Sequence, residues 1–171
     1  MTPDAVQAGF KTLVEAYSPE LYRYAYWLTH NRFIAEDLVQ ETFLRAWKSW
    51  ASLKDVAATR AWLYTILRRE RARLWERKSA HLEDPLAPET EAALVDTGLL
   101  AAIDGLEVRQ AIAALPENYR EPLLLQVLGG FDCKEIAAML GTTEGAIMTR
   151  VSRARMAFRK LPGWNGKDKV A

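Results

Sequence analysis

The stretch that most restricts how this 171-residue chain can fold is DCKEIAAMLGTTEGAIMTRVSRARMAFRK, from Asp132 to Lys160. Asp132 and Glu135 have the spacing of a capping box, in which each side chain accepts the other residue's backbone N–H, so a helix is predicted to begin there. Ile136, Ala137, Met139 and Leu140 give that helix an apolar face. Gly141 tolerates the left-handed backbone that ends a helix, and Thr142 or Thr143 can cap a second one. Ile147, Val151, Ala154 and Phe158 then recur at spacings of four, three and four, which is one face of a helix. The other faces carry Arg150, Arg153, Arg155, Arg159 and Lys160, and within the stretch no acid follows Glu144. A short helix, a tight turn and a basic second helix fit a DNA-reading helix-turn-helix. They also fit an ordinary helical hairpin with a solvated basic face, and the motif alone leaves both open.

The charge pattern narrows the choice. The totals nearly cancel, 23 Lys and Arg against 22 Asp and Glu, but the distribution is uneven. Arg60 to Lys78 holds seven basic residues and two acids, Ser79 to Glu107 seven acids and no Lys or Arg, and Arg150 to Lys160 five basic residues and no acid. Two cationic surfaces joined by an anionic strap are expected. Cys133 is the single cysteine, so no disulfide forms within the chain, which fits a reducing cytosol. MTPDAVQAGFKTLVEAY lacks an apolar signal-peptide core, and no run of ~18 apolar residues predicts a transmembrane helix.

In chain order, Pro3 to Tyr17 reads as a first helix facing inward through Val6, Phe10, Leu13, Val14 and Tyr17. Ser18-Pro19 reads as a stop and restart, Ser as N-cap and Pro at the first helical position. The next helix, to about Thr29, holds Leu21, Tyr22, Tyr24, Ala25, Tyr26, Trp27 and Leu28, enough apolar bulk to be buried on more than one side. Asn31 is placed to cap a third helix to about Ser49, with Ile34, Leu38, Phe43, Ala46 and Trp47 inward and Glu36, Asp37, Gln40, Glu41 and Arg45 outward. Asp55 is placed to cap a fourth, running to Lys78, apolar in its first half and basic in its second.

In that fourth helix Trp62, Tyr64 and Trp75 interleave with Arg60, Arg68, Arg69, Arg71 and Arg73. Flat rings for unstacked bases beside cations for phosphates suit a single-stranded nucleic-acid surface. Position in the apolar half of the helix favours the core for Trp62. Trp75 remains open between core and surface.

Residues 79–105, with Pro85, Pro88 and many acids, read as a linker with a helical piece around Glu91 to Leu100. From Ser79 to Glu107 the chain can span up to ~95 Å at about 3.3 Å per residue. That exceeds two turns of DNA at roughly 34 Å each, so two basic domains can reach separate patches of one duplex. A second helical domain is expected over 106–160. Val108, Ile112 and Leu115 face inward, and Pro116 opens a helix buried through Tyr119, Leu123, Leu124, Val127 and Leu128 and ended by Gly129-Gly130. The tail 161–171 has no periodicity. With no repeat and no convincing strand, the fold class is all-α: two small helical domains, 1–78 and 106–160, joined by an acidic linker.

Enzymatic chemistry finds no assembled site. His30 and His81 are far apart, Cys133 has no CxxC partner, and no Gly-rich phosphate loop follows a strand. Glu36, Asp37 and Glu41 fit a solvated or partner-binding face better than a metal pair. Cys133, with only Lys134 as a cationic neighbour to support a thiolate, fits a small apolar filler.

Three motifs, AEDLVQETFLRAW (Ala35 to Trp47), TRAWLYTILRRERARLWERK (Thr59 to Lys78) and LPENYREPLLLQVLGGFDCKEIAAMLGTTEGAIMTRVSRARMAFRK (Leu115 to Lys160), occur in this order. Together they resemble bacterial sigma factors of the extracytoplasmic-function (ECF) type, in the sigma-70 superfamily. That resemblance implies regions two and four without region three, no cofactor, and a role in directing core RNA polymerase to promoters. It implies that Asp37, Gln40, Glu41 and Arg45 dock on the polymerase β′ clamp helices, with the β flap as a further contact. It implies that Ser49 to Lys78 melts and reads the minus-ten element: the loop Ser49 to Thr59 captures a flipped non-template base, and Arg60, Trp62, Tyr64, Arg68, Arg69, Arg71 and Arg73 form the DNA surface. The second helix of the helix-turn-helix, from about Thr143, would read the minus-thirty-five element through Met148, Thr149, Ser152 and Arg153, while Arg150 and Arg155 grip phosphates or pack. A cognate anti-sigma factor is a further implied partner. The strap Glu83 to Glu107 would thread the polymerase as an anionic mimic of nucleic acid.

Two departures from the family pattern bear on specificity. Met148 stands where Lys or Arg is frequent, and an apolar side chain can touch a thymine methyl but cannot fork onto guanine. Arg69 stands where Asn is frequent. The promoter sequence is therefore expected to differ from that of better-known members. The rival readings are a dimeric repressor or activator, which needs a dimerisation helix, a helical protein-binding adaptor, and an enzyme. The aromatic–arginine helix and the Asp37 to Arg45 face weigh against the first.

Overall fold

A computed structural model of the protein describes residues 2–80 and 106–160. Every regular element among them is helical. They belong to two compact units. The acidic segment from residue 81 to 105, including the helical piece expected around Glu91 to Leu100, and the tail after Lys160 lie outside the described residues.

The first unit contains α1 (Pro3–Thr29), α2 (Arg32–Ser49) and α3 (Thr59–Ala80). Contrary to the expected break at Ser18-Pro19, α1 is continuous and carries Pro19 inside it. Proline removes one i→i−4 hydrogen bond. Here Pro19 and Glu15, whose carbonyl loses that partner, both lie on the exposed side, where water can replace the bond. The second half of α1 is the centre of the core. Leu21, Tyr24, Ala25, Tyr26, Trp27 and Leu28 are all buried, as so dense an apolar run requires.

His30, in left-handed backbone at φ 52°, ends α1, and Asn31 starts α2 at once. The Asn31 side chain accepts the N–H groups of Phe33 and Ile34 at 3.0 and 3.1 Å, satisfying two of the helix's orphan donors. This tight connection folds α2 back onto α1, and α3 packs on α2. Asp55, expected to cap α3 directly, instead accepts from Ala57 N–H at 2.9 Å and caps a single 3-10 turn, Val56–Ala58. The helix proper begins at Thr59 and extends past Lys78.

The second unit contains α4 (Leu106–Ala114), α5 (Glu117–Val127), α6 (Cys133–Leu140) and α7 (Glu144–Arg159). Its core is built from Ile112, Leu115, Leu123, Leu124, Leu125, Leu128, Phe131, Ile136, Ile147, Val151 and Ala154. Pro116 precedes α5, as expected. At the end of α5 a Cβ on Gly129 would sit 2.6 Å from the Leu125 carbonyl oxygen and 2.7 Å from the Phe131 ring. Only glycine lets Phe131 fold back into the core there.

The capping box is present in full: Glu135 N–H donates to Asp132 Oδ1 and Asp132 N–H to Glu135 Oε2, each at 2.8 Å. Gly141, at φ 66°, makes the turn between α6 and α7. Of the two candidate caps it is Thr143 that acts, its Oγ1 accepting from Ala146 N–H at 3.2 Å.

Candidate nucleic-acid interface

Two exposed surfaces in the first unit and one in the second carry the residues singled out by sequence. On α2, Asp37, Gln40 and Arg45 are exposed and Glu41 is half-buried. The structure adds three residues that periodicity did not select. Phe33 and Leu44 are exposed to 57% and 58%, and Trp47, expected in the core, is exposed to 46%. Trp47 only leans on the core, its ring 4.9 Å from that of Phe10. Positions 33, 37, 40, 44 and 47 alternate by four and three, so Phe33, Asp37, Gln40, Leu44 and Trp47 form one stripe along α2. A stripe of large apolar groups interrupted by short polar ones is what a protein partner needs to bury. Leu44 was detectable in principle, because it falls outside the inward-facing set of α2.

Arg45 is less available than its exposure implies. Its Nε lies 3.1 Å from Glu41 Oε1 and 3.3 Å from Glu70 Oε1. Glu70 is only 4% exposed and also receives Arg73 Nη1 at 2.9 Å. Sequence reasoning treated Glu70 as one acid in a basic run. The signal was its register: Leu63, Leu67 and Glu70 lie on one face of α3, so the carboxylate is carried inward with the two leucines. Paired with two half-exposed guanidinium groups, it ties the outer face of α2 to the basic half of α3.

On α3 the expected DNA set divides. Arg69 and Arg73 are exposed, Trp62, Arg60, Arg68 and Arg71 are half-buried, and Trp75 is 61% exposed. Tyr64, expected to face bases, is fully buried, and that expectation is corrected. Its ring lies 5.1 Å from Tyr24, and its hydroxyl donates to Glu20 Oε2 at 2.9 Å. Burial and the Glu20 charge both push the Tyr64 hydroxyl well above the ordinary tyrosine range. The same Glu20 oxygen accepts Arg60 Nε at 3.0 Å and Nη2 at 2.8 Å. Burial works against the Arg60 charge, but these bonds and the Glu20 charge outweigh it and raise its pKa. The start of α3 is thereby fixed to α1. Between α2 and α3, the ring of Trp50 leans on Phe10 at 5.7 Å while Val56 stands 85% exposed.

In the second unit, α7 buries Ile147, Val151 and Ala154 and exposes Met148, Thr149, Ser152 and Arg153, and its cap Thr143 is exposed as well. Arg150 is half-buried. Arg153 Nη1 reaches the Tyr119 hydroxyl at 3.3 Å, and Arg155 Nη2 donates to Gln126 Oε1 at 2.6 Å. Of the two roles open to Arg155, packing is the one the geometry shows. Cys133 sits half-buried with Gln126 Nε2 3.8 Å from its sulfur. Among the described residues no cluster of His, Cys, Asp or Glu is arranged to hold a metal ion, and no helix is long and apolar enough to cross a membrane.

Residues 13–81 match the family model Sigma-70 region 2, and residues 105–158 match Sigma-70, region 4. Over 143 residues the chain is 35% identical to the ECF RNA polymerase sigma factor EcfG of Rhodopseudomonas palustris, covering 84% of this chain and 79% of that one. The chain belongs to the ECF RNA polymerase sigma factors. It is 32% identical over 160 residues to the ECF sigma factor SigL of Mycobacterium tuberculosis, covering 91% and 89% of the two chains. Among solved structures, the sigma factor RpoE of Bartonella quintana, crystallised with the anti-sigma factor NepR, matches with a TM-score of 0.69 at 29% identity, over 89% of this chain and 95% of that one. CnrH, in complex with the cytosolic domain of CnrY, matches with a TM-score of 0.63 at 26% identity, over 90% and 86%. As an ECF sigma factor this chain is a transcription initiation factor and not an enzyme: it binds core RNA polymerase and directs it to specific promoters.

Proposed function

We propose that the α2 stripe is the surface that docks on core polymerase at the β′ clamp helices. Phe33, Leu44 and Trp47 supply buried apolar area, and Asp37, Gln40 and Glu41 supply orientation. The observation that carries this reading is the exposure of three large apolar side chains in register with the polar set on one helix face. The loop from Ser49 to Thr59 and the exposed side of α3, with Trp62, Arg68, Arg69, Arg71, Arg73 and Trp75, open and hold the minus-ten element. Tyr64 and the Glu20–Arg60 pair act behind that surface, as its anchor to α1. In the second unit α7 lies in the major groove of the minus-thirty-five element.

Two domains and an acidic linker, 1–78, 106–160 and 79–105, give the chain two separate DNA readers that act in the cytoplasm. The solved structure of the Bartonella quintana sigma factor is a complex with an anti-sigma factor. A cognate anti-sigma factor that covers the α2 stripe would account for large apolar groups being left in the open. The test is run-off transcription from genomic fragments with core polymerase, with and without this chain. Promoter-specific transcripts that vanish as salt rises, through counterion release, support the reading. Failure to bind core polymerase overturns it.

A further inference from the structure

The exposed face at the start of α7 has an unusual chemistry for a helix read as a DNA reader. Gly145, Met148, Thr149 and Ser152 lie together on it, at spacings of three, one and three. None is a cation. Met148 is 56% exposed, which leaves its thioether open to solvent. Thr149 Oγ1 donates to the Gly145 carbonyl oxygen at 3.0 Å. With its hydroxyl proton engaged, Thr149 offers a base edge a methyl group and an acceptor. A Cβ on Gly145 would meet nothing within 4 Å, so the packing of the unit does not require glycine there. Gly145 is the second residue of α7, and its bare backbone leaves room there for another surface to come close. Two of the arginines of α7 are engaged elsewhere, Arg153 with Tyr119 and Arg155 with Gln126.

A close-fitting patch of thioether and methyl matches one feature of the major groove, the C5-methyl of thymine. We infer that Met148, with Thr149 beside it, is a specificity-determining residue that reads a thymine methyl in the minus-thirty-five element. This rests on the proposed placement of α7 in the major groove. An exposed methionine also suits a protein partner, but the polar residues around Met148 and the bare Gly145 favour a base edge.

The experiment uses holoenzyme assembled from the full chain and core polymerase, on duplexes selected from a library randomised over the minus-thirty-five region. Each selected thymine is then replaced by uracil, which removes only the methyl. At one position the replacement is expected to weaken binding about fourfold, the value of one methyl withdrawn from water. Met148→Ala holoenzyme is expected to bind thymine and uracil alike at that position, and Met148→Arg to shift selection there to guanine. Footprinting that protects the minus-thirty-five region, with uracil neutral throughout or equally harmful to wild type and Met148→Ala, overturns the inference alone. Loss of core polymerase assembly in Met148→Ala without a change in base preference overturns it in favour of a protein contact. Absence of protection upstream overturns the placement of α7 itself.

Discussion

Tyr64 donates its hydroxyl to the Glu20 carboxylate at 2.9 Å, joining two residues 44 positions apart in the chain. Tyr64 had the look of a base-stacking aromatic, and nothing in the local pattern paired it with Glu20. Together with Arg60 they place three donor groups on one carboxylate oxygen and fix the start of α3 to α1.

The raised Tyr64 pKa makes stability depend on alkaline pH. The folded state holds this proton more tightly than the unfolded chain, whose tyrosines titrate near ~10. The contribution is fully present below that value and declines as pH rises above it towards the folded pKa. Urea denaturation followed by tryptophan fluorescence is expected to show stability falling above pH ~10 in the wild type and a shallower fall in Tyr64→Phe. At neutral pH, Tyr64→Phe is expected to cost about 1.5–3 kcal/mol, the usual range for a hydrogen bond to a charged group.

Glu70 illustrates a buried charge whose partners stay wet. Arg45 and Arg73 are 43% and 51% exposed by side chain, so on removal of the carboxylate both can rehydrate. Glu70→Ala is therefore expected to cost about 1–2 kcal/mol, below the roughly 3–5 kcal/mol of a pair buried at both ends. Thermal unfolding at low and high salt checks this.

Leu44 separates binding from folding. It is exposed, so Leu44→Glu is expected to change stability by less than about 0.5 kcal/mol. Its affinity for core polymerase, measured by titration of a fluorescently labelled chain, is expected to fall at least about tenfold, the effect of placing a charge in a buried apolar contact. Unchanged affinity would remove the α2 stripe from the proposed docking surface.

Asp132 supports the start of α6 locally. Asp132→Ala is expected to cost about 1 kcal/mol and to speed hydrogen exchange at the Glu135 amide, which loses its acceptor. Asp132→Asn is expected to retain most of the protection.

Local signals were legible in the sequence because they act over three or four residues. Asn31 before α2, the Asp132–Glu135 box and Gly141 after α6 each satisfy backbone groups within one turn, and the structure shows all three. On α5 and α7 period alone placed Leu123, Leu124, Leu128, Ile147, Val151 and Ala154 inward but missed Leu125, which is fully buried, while the Phe158 side chain lies outside the described residues. Pro19 misled because a proline break is a propensity, and packing of the flanking apolar residues overrides it where the lost bond faces water. Asp55 misled by one turn, since a cap signal does not say whether a 3-10 turn or an α-helix follows.

The sequence by itself determined the helical class, the caps, the two basic segments with an acidic stretch between them, and the family motifs, all properties of neighbours along the chain. Only the tertiary structure decided that Tyr64 turns inward while Trp47 turns out, and that Arg155 packs rather than reaches. Helical periodicity gives the direction of each side chain about its own axis. Whether that direction meets a neighbouring helix or water depends on how the helices cross, which contacts distant in sequence set.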